Sequence, residues 1–265
     1  MNFLSSCIKG IVLGAGAILP GISSGVLLVI FGLYETFINR VLNFFKNPKE
    51  NFCFFFPIVL GCLIGIILSG NLLIYFFKNY EIQTKYCFIG LILGSLPVLF
   101  KQANKKNGFR LHYILYLLFS LIFTLILIFI EQTLPFFTAS NISFVFLCFS
   151  GFLMSIGVVV PGISSSAILM ILGVYDMYLG AISTLNFTIL LPMGIGLFLG
   201  GLLFLKLIYF LLEKSYAPTH YSIIGFVIGS ALVLFPGFKF TTSHFISLIL
   251  FILCFKIAYK MQKDS

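Results

Sequence analysis

Leu19-Pro20-Gly21-Ile22-Ser23-Ser24-Gly25 interrupts an apolar run at 10–34, and Val160-Pro161-Gly162-Ile163-Ser164-Ser165-Ser166 interrupts another at 148–175. Proline has no N–H and glycine is a poor helix former, so a helix entering either stretch must break. Within a bilayer, broken backbone is tolerated only where protein buries it or where it lines a cavity. Both stretches therefore predict breaks that build a site, rather than simple proline kinks. The likeness extends outward at a constant offset of 141 residues. Gly10, Gly16, Pro20, Gly21, Ile22, Ser23, Ser24, Gly32, Tyr34 and Glu35 recur as Gly151, Gly157, Pro161, Gly162, Ile163, Ser164, Ser165, Gly173, Tyr175 and Asp176.

The surrounding chain is that of a membrane protein. Of 265 residues, 60% are hydrophobic and 9% charged, with a mean hydropathy of +1.16. Such a composition excludes an ordinary soluble domain and predicts several spans. The alternation expected of an outer-membrane barrel is absent, so the fold class is all-α and polytopic. The net charge of +9 comes from basic residues in loops beside the spans. That pattern sets topology and gives no reason to expect a nucleic-acid partner. Cys7, Cys53, Cys62, Cys87, Cys148 and Cys254 lie in apolar segments without a metal-ligand spacing, and read as packing residues. Lys9 and the apolar run after it could pass for a signal peptide. The run recurs at 148–175, however, and is read here as structure.

Six further apolar segments follow the two interrupted ones: 53–77, 86–100 and 111–130 in the first half, and 189–212, 221–235 and 245–259 in the second. Pro57, Gly61, Gly65, Tyr86, Gly90, Gly94, Ser95, Leu99 and Phe100 recur at an offset of 135 as Pro192, Gly196, Gly200, Tyr221, Gly225, Gly229, Ser230, Leu234 and Phe235. The expected organisation is two homologous repeats, 1–140 and 141–265, each an interrupted segment followed by three spans.

Charge decides whether the interrupted segments cross the membrane. If each is a re-entrant hairpin, 13 of the 16 Lys and Arg residues fall on one side, leaving Lys78, Lys85 and Lys239 on the other. If both cross, the asymmetry largely disappears. The positive-inside rule thus favours hairpins, with both termini cytoplasmic. Each repeat then crosses three times, which inverts the second relative to the first. Inverted repeats with interrupted segments near the midplane are a transporter signature.

After each Pro-Gly pair a new helix starts, with N–H groups that have no helical acceptor. A helix N-terminus carries roughly +0.5 charge, so two opposed starts suit a phosphate of about −1.5 to −2. The expected anion site comprises Pro20, Gly21, Ser23, Ser24 and Gly25 with Pro161, Gly162, Ser164, Ser165 and Ser166. The hydroxyls either bind the ligand or simply cap the helices. Glu35 and Asp176 read as ends of the second arms, either proton-linked gates or solvated ends, with Tyr34 and Tyr175 beside them. Lys206 reads as a snorkelling residue. Neither a paired carboxylate nor a histidine cluster is present, and the only arginines, Arg40 and Arg110, lie in loops. No enzyme, metal or cofactor is expected.

Gly16-Ala17-Ile18-Leu19-Pro20-Gly21-Ile22-Ser23-Ser24-Gly25 leading to Phe31-Gly32-Leu33-Tyr34-Glu35 resembles the bacterial polyprenyl-phosphate transporter family, long catalogued as a domain of unknown function. Pro161-Gly162-Ile163-Ser164 leading to Leu172-Gly173-Val174-Tyr175, the stretch 88–97 and the stretch 225–230 carry the same resemblance, which covers about 5–255. It implies a flippase for undecaprenyl phosphate in the inner membrane, returning the lipid's head group to the cytoplasmic face, with the matched tip residues serving the phosphate. Coupling to an H+ or Na+ gradient fits that role. The family often reads Ser-Gly-Gly where this chain has Ser23-Ser24-Gly25, and Ser-Gly-Ser where it has Ser164-Ser165-Ser166. Ala17-Ile18 stands where the family often has an acid, so a proton role for that acid has no carrier here. Two rivals stay open at this point: a transporter of a small soluble anion, and a lipid pyrophosphatase.

Overall fold

In a computed structural model, residues 3–18, 24–133, 143–184 and 186–263 are described. They form α1 (Phe3–Ile18), α2 (Ser24–Ile30), α3 (Tyr34–Leu42), α4 (Pro48–Asn79), α5 (Glu81–Ala103) and α6 (Tyr113–Thr133). The second half supplies α7 (Phe144–Val159), α8 (Ser165–Ile171), α9 (Tyr175–Thr184), α10 (Phe187–Lys214), α11 (Tyr216–Leu234) and α12 (Thr242–Lys263). Among the described residues, α4, α5, α10, α11 and α12 contain stretches long and apolar enough to cross a membrane. The 21 residues of α6 rise about 31 Å at 1.5 Å each. Apolar side chains left uncovered fall in helical stripes, such as Leu115, Phe119, Ile122 and Phe129 on α6 and Phe245, Ile249 and Ile252 on α12. A lipid environment makes such stripes inexpensive. Buried hydroxyls bond back to their own helices, as Ser150 does to the Phe146 carbonyl and Thr124 to that of Ser120.

Close packing runs through four helix pairs: α1 with α4, α7 with α10, α5 with α12, and α6 with α11. Glycine contacts give their direction. A methyl on Gly61 would stand 2.1 Å from the Cys7 carbonyl oxygen, and one on Gly65 would stand 2.2 Å from that of Ile11. Moving four residues up α4 thus moves four up α1, so the two run parallel. In α10, Gly196 abuts the Cys148 carbonyl and Gly200 that of Phe152, the same register at offsets 135 and 141. Gly90 abuts Phe251 and Gly94 abuts Phe255, which makes α5 and α12 parallel as well. Gly225 meets Leu117 and Gly229 meets Thr124, and α11 runs parallel to α6.

The central contact, between α5 and α11, is antiparallel and reciprocal. Tyr86 packs on Phe235 with ring centroids 5.9 Å apart, and Phe100 packs on Tyr221 at 5.8 Å. Adding 135 to Tyr86 and Phe100 gives Tyr221 and Phe235, so the two contacts exchange under the sequence offset. That is the behaviour of an isologous, two-fold contact.

Candidate functional site

The second interruption is fully described. Val160, at φ −87° and ψ 116°, is extended, as steric clash with the Pro161 ring requires. Gly162 has φ +86°, and the Ile163 N–H donates to the Val160 carbonyl at 3.4 Å. Proline followed by a positive-φ glycine under an i to i+3 bond is the pattern of a type II turn. The turn is pressed against α11: a methyl on Gly162 would stand 2.2 Å from the Phe226 carbonyl oxygen. Phe226 lies near the middle of α11, a helix of 19 residues. The break is therefore held at mid-depth of a membrane-length helix. Pro161, Gly162 and Ile163 are buried, and Ser164, Ser165 and Ser166 are half-buried. The Ser164 and Ser166 hydroxyls lie 2.7 Å apart. Five expected site residues, Pro161, Gly162, Ser164, Ser165 and Ser166, are thus gathered at one tip. Pro20, Gly21 and Ser23 lie outside the described residues. Gly25 is buried at the start of α2.

The arms after the breaks are shorter than the apolar runs. α2 and α8 have seven residues each, about 10 Å of helix. Each ends in the same motif. Gly32 at φ +65° donates to the Val29 carbonyl and Leu33 to that of Leu28; Gly173 at φ +70° donates to Met170 and Val174 to Leu169. These are Schellman caps, with glycine at the left-handed position. Tyr34, Glu35, Tyr175 and Asp176 therefore do not end the second arms, as the sequence suggested; they open α3 and α9. The short arms also reduce the dipole contribution expected from the sequence, leaving hydroxyls and turn N–H groups as the principal polar groups of a tip.

Tyr34 joins the halves. Its hydroxyl, buried, donates to the Val159 carbonyl at 2.9 Å, a group that the break deprives of a helical donor. Tyr34→Phe would leave that carbonyl without this donor. Loss of about 1–3 kcal/mol is expected, read as a lower thermal midpoint of the purified protein without loss of expression.

Glu35 reaches across to α11. His220 Nε2 lies 2.7 Å from Glu35 Oε1, and the Tyr216 hydroxyl donates to the same oxygen at 3.3 Å. The Lys106 ammonium sits 4.2 Å from the centre of the Tyr216 ring. The His220 hydrogen bond, above all, holds the Glu35 carboxyl below the usual carboxylate range; the charges of His220 and Lys106 and the Tyr216 bond act the same way, against burial. With its folded value depressed, Glu35 adds stability above the ordinary carboxylate range, and that stability is lost as pH falls through the folded value. A polar cavity of about 200 Å³ adjoins the pair, with Gly32, Gln102 and Lys105 in its wall. Nothing local in the sequence marks His220 as part of a site; the α3–α11 approach brings Glu35 to its Nε2.

The two short helices after the breaks, α2 and α8, are docked differently. Val26 to Phe31 are all buried, at 1–9% exposure. In α8 only Leu169 is buried among the described side chains. Asp176, the counterpart of Glu35, is exposed. Lys85, the counterpart of His220 at offset 135, pairs instead with Glu81. At that opposite end an apolar cavity of about 410 Å³ lies among Tyr86, Leu93, Ile228, Leu232, Phe235 and Phe251.

Parallel packed helices, a buried break at mid-depth and lipid-facing stripes define a polytopic α-helical membrane protein with an interrupted-helix site. The family model described as VCA0040-like, undecaprenyl phosphate translocase-like, matches residues 2–107 and 42–248, and the chain belongs to that family. A polyprenyl-phosphate transporter of Staphylococcus aureus is 30% identical over 97% of this chain and 95% of its own. One of Vibrio cholerae is 26% identical over 89% of this chain and 79% of its own. No solved structure matches.

Proposed function

We propose that the protein moves undecaprenyl phosphate, or a close polyprenyl phosphate, from the outer to the inner leaflet of the bacterial cytoplasmic membrane. The recycled lipid would serve envelope polymer synthesis. The observation that carries this reading is the serine-lined break at Val160–Ser164, buried at mid-depth against α11 in a chain of this family. A phosphate head crossing hydrocarbon unaided faces a cost of several kcal/mol at least. A polar break at the midplane removes much of that cost while the prenyl chain stays in lipid or in the apolar cavity. The activity is transport, not hydrolysis, and needs no cofactor; an H+ or Na+ gradient drives it.

In this reading the chain is two inverted repeats, each a re-entrant hairpin and three spans. Three observations support it. A hairpin that starts on one side and returns to it leaves α1 and α4 starting from the same side and running parallel; a crossing segment would make them antiparallel. The parallel pairs α7–α10, α5–α12 and α6–α11 follow from the same topology. The reciprocal contact of antiparallel α5 and α11 suits a two-fold axis in the membrane plane. Contacts between Glu35 and His220, Lys106 and Tyr216, and Asn104 and Tyr221 bring the loops after α2, α5 and α10 to one end, and the positive-inside rule supports reading that end as cytoplasmic. Closure at that end beside an open counterpart corresponds to one of the two states of alternating access.

Liposomes reconstituted with the protein test the reading, with a head-group-specific reagent reporting polyprenyl phosphate in each leaflet. Wild-type protein is expected to equilibrate the leaflets. Each hydrogen bond to a charged group is worth about 1.5–3 kcal/mol, so Ser23→Ala with Ser164→Ala, which removes two, should slow transport about 100-fold or more. A double variant that moves lipid at the wild-type rate removes the tips from the path. Uptake of a soluble anion without lipid movement would refute the lipid substrate.

A further inference from the structure

The Glu35–His220 contact fixes a proton count. His220 Nδ1 lies 3.0 Å from the Tyr216 carbonyl oxygen. A carbonyl only accepts, so Nδ1 carries a hydrogen. A neutral imidazole has one N–H, which would leave Nε2 presenting a lone pair to Glu35 Oε1 at 2.7 Å. Two acceptors do not meet at that distance. A second proton therefore lies between ring and carboxyl, and imidazole is ordinarily the stronger base of the two, which puts it on the ring. The ring is enclosed, with His220 3% exposed, whereas the Glu35 side chain is 44% exposed at the cavity wall. The groups around it are Glu35 from α3, Tyr34 beside it, Tyr216 from α11, Gln102 and Lys105 from the end of α5, and Lys106 over the Tyr216 ring. The two lysines add positive charge, so Glu35 is the counter-ion that makes a charged His220 tenable.

We propose that Glu35 and His220 form a proton-binding site, and that the proton held there closes the cytoplasmic end of the transport path. This rests on the transporter reading above. Opening that end releases the proton: Nε2–H is lost, the two acceptors repel, and α3 parts from α11 beside the cavity at Gly32 and Gln102. Nothing is oxidised or reduced, and one proton is bound on closing and released on opening. His220 is thus a positioning residue for transport, and it need not touch the lipid.

The chain carries three histidines, His112, His220 and His244, few enough for ring-nitrogen NMR on 15N-histidine-labelled protein in detergent. His220 is assigned by the signal that His220→Gln removes. At pH 7 the wild-type His220 ring is expected to carry protons on both nitrogens, and in Glu35→Gln on Nδ1 alone. A neutral wild-type ring, or a ring that Glu35→Gln leaves unchanged, overturns the proton site. In liposomes, Glu35→Gln is expected to flatten the pH profile of transport across about pH 5 to 8; a profile matching the wild type overturns the gating role. Wild-type protein with a doubly protonated His220 that moves no polyprenyl phosphate would refute the transporter reading and leave the proton site standing.

Discussion

Gly162→Ala is expected to cut transport about 100-fold, while Gly201→Ala leaves it unchanged. At Gly162 an alanine must hold φ +86°, a left-handed conformation that costs an L-residue about 1–2 kcal/mol. The larger effect is steric. The new methyl would lie 2.2 Å from the Phe226 carbonyl oxygen and 2.5 Å from its carbon. Both are backbone atoms of α11, so no side chain can swing away to make room. Relief requires the turn at 160–163 to back off from α11 by about an ångström, and a displacement of that size at a working site costs about 100-fold. A methyl on Gly201 meets nothing within 4 Å, and removing a helical glycine is worth up to about 1 kcal/mol in its favour. Thermal midpoints of both purified variants, with leaflet exchange in liposomes, separate lost folding from lost transport. A Gly162→Ala protein that folds and transports normally would show that the tip does not work from its seat on α11.

A disulfide between Asp176→Cys and Lys85→Cys is expected to reduce transport tenfold or more, about 1.4 kcal/mol or more of barrier, with recovery on reduction. These positions are the counterparts of Glu35 and His220 at the end of the bundle opposite to that pair. Here Asp176 is exposed and Lys85 is held by Glu81, so that end is unlatched while the Glu35 end is latched. If the halves exchange conformations, Asp176 should reach Lys85 when Glu35 leaves His220. A disulfide needs Cα atoms within about 4.4–6.8 Å, so it forms only if the approach occurs. The six native cysteines, all free among the described residues, would first be replaced. Failure to cross-link during transport would exclude a latch that alternates between the ends.

The twinned Pro-Gly stretches made the breaks legible, because the missing N–H of Pro161 and the freedom of Gly162 act locally in any context. Loop lysines and arginines favour one topology over another, because they respond to membrane sidedness rather than to partners. Gly32 and Gly173 carry a further local signal. Glycine just past a helix marks its end, and it places Tyr34, Glu35, Tyr175 and Asp176 at the start of new helices.

The class of the protein follows from the amino-acid order alone: membrane spans from apolar length, breaks from proline and glycine, and a repeat from two constant offsets. These follow from backbone chemistry and solvation, which are local properties of the chain. Which helices pair, and in what direction, is settled by the fold, since Gly61 and Cys7 are brought together by packing and not by spacing. It alone joined Tyr34 to Val159 and Glu35 to His220, residues 125 and 185 positions apart. A hydrogen bond between such residues leaves no local mark, because each side chain is ordinary until the fold supplies its partner.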